Sequence, residues 1–280
     1  MRARCLLPSM AILVVMSLGL GAVENVGGLF DIGVSGRALG LGGAFTALAD
    51  DEGAVFHNPA GMSWYTGIGL SSLFVRQFGG VSYGSITLAV PYAGLALSFL
   101  DSGAIATTDG ATRYASQGVV AGVGVSVGPL GIGTRLRVFR LSSPTSGLGW
   151  SIDPAILVAA KGVRVGLLYE GAFASPVEYE SGTKEDWPQS LRLGAAVTLA
   201  PVQGVHWSAA FEAAGLFSGL ARLAFGVETW IGGLGARVGY DGTGPTFGLS
   251  LRFSTLQFDW AYASRDDLGD SHRISLSLRF

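Results

Sequence analysis

The residues of this chain able to do chemistry are above all its arginines and acids, and they recur at alternate positions of otherwise apolar stretches. The set is Arg135, Arg137, Arg164, Arg192, Arg222, Arg237, Arg252, Arg273 and Arg279, with Asp153, Glu170, Glu212, Glu228 and Asp259. Gathered on one face, such groups either pair with one another or present a ladder of guanidiniums to an anionic head group such as a carboxylate. Other chemistry is thinly supplied. His57, His206 and His272 stand far apart, in no metal-ligand spacing. Asp50, Asp51 and Glu52 could bind a cation, or stop one helix and cap the next through their carboxylates. Gly40-Leu41-Gly42-Gly43 has part of a phosphate-loop pattern, but no Gly-Lys-Ser/Thr follows it, and no Gly-x-Ser-x-Gly elbow occurs. No catalytic constellation, cofactor site or metal site is predicted, and the chain reads as a non-enzyme.

The elements that must hold these charges are β-strands. From Tyr65 onward, fourteen stretches are predicted, near 67–77, 81–90, 93–101, 116–127, 130–141, 150–160, 162–173, 189–200, 203–213, 220–231, 234–241, 245–253, 255–265 and 271–280. Their two faces separate. Leu130, Ile132, Leu136 and Val138 oppose Gly131, Gly133, Arg135 and Arg137, while Phe247, Leu249, Leu251 and Phe253 oppose Gly248, Ser250 and Arg252. Connections alternate in length. Short ones are predicted at Pro91-Tyr92, Gly128-Pro129, Lys161, Pro201-Val202, Gly232-Gly233 and Ser254, and long ones include Ser102–Ala115 and Ala174–Pro188. That alternation, with strands of transmembrane length, predicts an all-β fold: a transmembrane antiparallel barrel of about fourteen strands, apolar toward lipid and charged toward the lumen. A charge on the lipid face would cost about 2–4 kcal/mol at the midplane, which forces the arginines inward. Gly122-Val123-Gly124 could weaken the wall locally or relieve crowding inside it. Tyr65, Tyr92, Trp150, Trp207, Trp230 and Tyr262, near strand ends, could form interfacial belts or simply reflect β-propensity.

Composition agrees. Of 280 residues only 14% are charged and 44 are glycine, with a mean hydropathy of +0.45. Yet no internal apolar run is long enough for a membrane helix. Residues 1–22 read as a signal peptide: Arg2 and Arg4, then the apolar run Leu6 to Leu20, then small residues at Gly21 and Ala22. Its removal takes two arginines and no acid, moving the net charge from −2 to −4. It also takes Cys5, the one cysteine, leaving no thiol, and nothing suggests a nucleic-acid partner.

Residues 23–64 differ from the rest. Gly36 to Met62 is compact and rich in Gly and Ala. Ala44 to Ala49 is predicted as one or two helical turns and Asn58-Pro59-Ala60-Gly61 as a turn, so the stretch reads as a small helical plug in the lumen of the barrel formed by residues 65–280. The plug motif comprises Arg37, Gly42, Gly43, Asp50, Asp51, Asn58, Pro59 and Gly61. Together with Ala54-Val55-Phe56, it resembles the N-terminal region of the FadL family of outer-membrane transporters and their PorV/PorQ relatives. The resemblance supplies no ligand residue. The final strand alternates and ends on Phe280, similar to the signal read by the barrel assembly machinery.

The resemblance implies the outer membrane of a Gram-negative-type bacterium, with membrane lipid and the assembly machinery as partners. It implies passive transport of hydrophobic or amphipathic small molecules, which FadL-like proteins release sideways through the wall. The alternative it carries is a PorV-like shuttle for protein cargo in type IX secretion, acting through the outer loops. An outer-membrane enzyme is a third, weaker reading.

Overall fold

The computed structural model describes residues 25–77, 80–107, 110–219, 221–264 and 270–280. The predicted signal peptide and Cys5 lie outside the described residues. The chain enters through three short helices, α1 (Asn25–Asp31), α2 (Gly36–Gly40) and α3 (Ala54–His57), and a 3-10 turn over Pro59–Trp64. The strands follow: β1 (Gly69–Gln77), β2 (Val81–Val90), β3 (Ala93–Thr107), β4 (Gly110–Val127), β5 (Leu130–Ser143), β6 (Gly147–Ala160), β7 (Val163–Glu170) and β8 (Phe173–Tyr179). After these come β9 (Lys184–Glu185), β10 (Ser190–Val202), β11 (Val205–Leu216), β12 (Arg222–Ile231), β13 (Leu234–Tyr240), β14 (Pro245–Phe253), β15 (Leu256–Ala263) and β16 (Ser271–Arg279).

Neighbouring strands pair antiparallel, and the ring closes where β1 meets β16, from Gly69 opposite Arg279 to Arg76 opposite His272. β8 and β9 stand outside the ring, which leaves the fourteen-stranded barrel that the alternation predicts. Closure satisfies the backbone inside the wall and leaves no free edge, the condition hydrocarbon imposes. No described helix is long and apolar enough to cross a membrane. Along each strand burial alternates: on β5 Gly131, Gly133, Arg135 and Arg137 are buried, while Leu130, Ile132 and Leu136 face out. The outward rows form the apolar belt.

Several sequence expectations need correction. Ser102–Ala115 is not an open loop; β3 and β4 continue through it as a tall hairpin, bulged between Asp101 and Ala104. Ala174–Pro188 contains β8 and β9. The short turn expected at Pro201-Val202 lies two residues later, at Gln203-Gly204 between β10 and β11, where Gly204 takes a left-handed φ of 79°.

Residues 25–64 fill the lumen. Leu29, Phe45, Leu48, Val55 and Met62 are almost fully buried, against wall residues such as Val120, Leu157 and Ala196. The wall makes room with inward-facing glycines. A Cβ on Gly124 would sit 2.3 Å from the Pro59 carbonyl, on Gly166 2.4 Å from the Thr46 carbonyl, and on Gly226 2.5 Å from the Leu41 carbonyl. The glycines around Gly122-Val123-Gly124 therefore serve close backbone approach to the plug. Ala44–Ala49 makes one turn rather than a regular helix: the Ala49 amide donates to the Phe45 carbonyl (2.9 Å), and the Glu212 carboxylate accepts the Phe45 and Thr46 amides (3.0 and 2.9 Å) at its start from across the lumen.

Candidate functional site

Strand tilt and register gather the charges into three linked groups around the plug. In the first, Glu228 on β12 is buried between Arg37 of α2 (2.8 Å from both Nε and Nη2) and Arg237 of β13 (2.5 Å). Arg37 also holds Asp50 (2.5 Å) and Asp51 (3.0 Å), and Arg237 reaches Ser250 (2.5 Å) and Asp259 (3.5 Å). In the second, Asp153 on β6 joins Arg135 (2.8 Å) and Arg137 (2.6 Å). Glu170 at the end of β7 takes Arg135 (2.6 Å) and Arg192 (2.8 Å), and Arg192 continues to Glu212 (3.4 Å). In the third, Arg279 holds Glu52 (2.5 Å), which also accepts from Tyr65 (3.1 Å).

Some arginines bind backbone. Arg135 donates to the Phe56 carbonyl, Arg164 to Leu48 and Arg273 to Ile32, each capping an open end of a plug segment. Arg252 lies over the Trp230 ring, 4.2 Å from its centroid, and bonds Gln257. Most of the arginines are engaged with acids or with the plug. Arg222 differs, lining two cavities with no side-chain bond to an acid among the described residues.

The plug motif resolves residue by residue. Asn58 is the keystone: its amide donates to the Thr46 carbonyl (2.8 Å) and to the Ile156 carbonyl of the wall (3.2 Å), while its oxygen caps the 3-10 turn at Ala60 (3.1 Å). Pro59 opens that turn, where no amide is needed. A Cβ on Gly61 would fall 2.1 Å from the Ala49 carbonyl, and on Gly42 2.2 Å from the Tyr240 carbonyl. Gly43, unlike Gly42 and Gly61, has open space beside it, and only its φ of 81° favours glycine. Asp50 and Asp51 pair with Arg37 inside the plug rather than with wall charges, and Asp51 also accepts the Gly53 amide (2.9 Å) ahead of α3. Among the described residues no group of three His, Cys, Asp or Glu could hold a metal ion.

Above the plug lies a chamber of about 220 Å³ lined by Phe30, Asp31, Arg137, Glu170, Arg192 and Arg222. A smaller cavity of about 50 Å³ continues beneath it, past Ser35 and His57. His57 has a buried Nε2 with no partner among the described residues. Burial, with Arg192 and Arg135 nearby, pushes its pKa down to about 3, so it stands neutral against the edges of Phe45 and Phe56. Sequence reading missed Phe30, Trp187 and Gln257. The only signal for Trp187 was a large aromatic in an otherwise polar loop.

With this geometry in view, comparison with known proteins gives a likeness in fold. No family model matches, and no curated protein matches. Among solved structures, the CymD monoaromatic hydrocarbon channel superposes with a TM-score of 0.55 at 14% identity, covering 89% of this chain and 98% of that one. The Pseudomonas putida toluene transporter TodX gives 0.55 at 12% identity, with the same coverage. A Pseudomonas aeruginosa FadL homologue gives 0.47 at 10% identity, covering 91% and 97%. At these identities the shared property is the barrel.

Proposed function

We infer that the chain is an outer-membrane passive transporter or channel of FadL type for hydrophobic or amphipathic small molecules, exported by a cleaved signal peptide. The observation that carries this is a closed wall with an apolar outer belt around a plug that stops short of the outer rim and leaves a chamber beneath it. A structural plug alone needs no such chamber. The likeness in fold to CymD and TodX, a hydrocarbon channel and a toluene transporter, supports the same direction. The side chains around the plug are committed to ion pairs and packing, which favours passage over bond-making chemistry. Arg37, held in place by Asp50 and Asp51, anchors the plug to Glu228 of the wall, and Phe280 acts as the assembly signal.

Proteoliposomes loaded with the purified barrel should take up a labelled alkane or fatty acid faster than empty vesicles. Equal rates would overturn the reading. Equal rates together with recovery of a secreted protein on the barrel would turn the function toward the PorV-like alternative.

A further inference from the structure

The lipid-facing surface of the wall carries almost no charge, and what it carries is all at one end. Among the described residues of the wall strands, the outward rows and their exposed outer ends hold three arginines and one aspartate: Arg76 on β1, Asp101 on β3, Arg113 on β4 and Arg140 on β5. All four stand away from the short turns, at the outer end by the rule of turn length. Below Arg76 the outward row runs through Phe74, Ser72 and Leu70, and below Arg140 through Val138, Leu136 and Ile132. At the opposite rim the outward rows end uncharged, on Leu130, Ile231, Leu234, Phe253 and Phe280. Asp101 and Arg113 are bound to each other. The net charge of the outward surface therefore comes from Arg76 and Arg140, and Arg140 makes no ion pair among the described residues.

Arg76 stands in a built setting. Its register partner on β16 is His272, exposed on the same outward face, and opposed residues on one face of an antiparallel pair hold their Cβ atoms about 5 Å apart. His272 in turn faces Tyr262 across the β15–β16 ladder, with ring centroids 5.2 Å apart, and its ring lies 6.0 Å from that of Trp260. The Trp260 and Tyr262 rings are stacked, 6.4 Å apart with 20° between their planes. Together they make a shelf of half-buried rings that ends on an imidazole and a guanidinium, at the height where the apolar belt stops. Arg140 repeats the arrangement on β5. Gln117 stands opposite it on β4, and Trp150, on the outward row of β6, is its diagonal neighbour.

We propose that this outer rim binds a phosphorylated glycolipid of the outer leaflet, with Arg76 and His272 at one station and Arg140 at another each taking a phosphate, and the rings beside them taking the apolar face of a sugar. The inference rests on the outer-membrane reading and is independent of transport. Hydrocarbon disfavours a cation on the lipid face, which is rewarded only where head groups supply anions. Arginine suits phosphate because its planar fork donates two parallel hydrogen bonds. Rings at the interface present an apolar face with a polar edge, which matches a sugar. An ordinary phospholipid head group would meet both rims alike and would leave the asymmetry of charge without a cause. A lipid confined to the outer leaflet accounts for it.

The test is native mass spectrometry of the full barrel in detergent, titrated with a deep-rough lipopolysaccharide, with the same glycolipid after phosphatase treatment, and with phosphatidylglycerol. The first should bind saturably, and the other two at least about tenfold more weakly. The double variant Arg76→Gln with Arg140→Gln should lose at least about tenfold in affinity for the phosphorylated glycolipid. Arg113→Gln, which removes a cation already bound to Asp101, should leave that affinity unchanged. Gel mobility before heating shows that each variant is folded. Equal binding of the glycolipid with and without its phosphates, or undiminished binding by the folded double variant, would overturn the proposal. So would an equal loss in Arg113→Gln, which would mean that surface charge in general holds the lipid, or equal affinity for phosphatidylglycerol. Hydrocarbon uptake by the double variant should match that of the unaltered barrel, so a failed uptake assay overturns the transport reading and leaves the glycolipid site standing.

Discussion

At the scale of single residues, the lumen behaves as a set of shared ions in which few members are spare. Glu228 serves two guanidiniums from opposite sides, one from the plug and one from the wall. Removing its charge leaves both buried with weaker partners, and breaking a buried pair costs about 3–5 kcal/mol. Glu228→Gln, which keeps the volume, should lower the urea unfolding free energy by about that amount. The exposed pair Asp101–Arg113 should be dispensable by comparison. Glycines divide in the same way. Gly42→Ala drives a methyl into the Tyr240 carbonyl and should prevent the plug from seating, read as loss of the protease-resistant N-terminal segment. Gly43→Ala meets nothing and should cost only the left-handed backbone term, about 1–2 kcal/mol. Sequence alone marks both as glycines in one motif. It cannot separate them, because the difference lies in which wall strand passes behind each.

At the scale of elements, the wall was legible and the departures from it were not. Alternation locates β2 at 81–90 and β14 at 245–253, because two solvents, lipid and a charged lumen, impose opposite demands on successive residues. It also finds which charges face inward. It does not find their partners: Arg37 and Glu228 lie 191 residues apart, and tilt and stagger decide their meeting. Where the chain rises above the membrane the two-solvent rule lapses, and the tall β3–β4 hairpin and the β8–β9 excursion read as loops. The Ala44–Ala49 segment keeps one helical turn, capped at its start by the Glu212 carboxylate of β11, which sequence alone does not reveal. The plug is a separable element in the sense that wall pairing closes without it. Deleting residues 30–62 should leave a barrel that inserts and conducts ions several-fold better in planar bilayers, as expected for a lumen of this strand number once emptied. Unchanged conductance in a folded deletion variant would mean the lumen is blocked by something else.

At the scale of the whole molecule, stability and topology meet at the β1–β16 junction. Eight register pairs close the ring there, extended by the mutual bonds of Ile68 and Phe280 (3.0 and 2.9 Å). Truncation after Asp270 should leave β1 and β15 with open edges and abolish the folded, heat-modifiable band on gels, whereas Phe280→Ala should retain the ring and slow its assembly in cells. The junction also sets an order in time. The plug precedes every wall strand in the chain and β16, which seals the ring against β1, follows all the other strands, so the lumen has no complete wall until β16 is in place. Asn58 reaches the wall at Ile156, and the chain at Gly42 fits under Tyr240 with no room to slide. A plug so fitted cannot be threaded into a finished cylinder. When present it must be enclosed as the wall closes, seated against its partner strands before β16 meets β1.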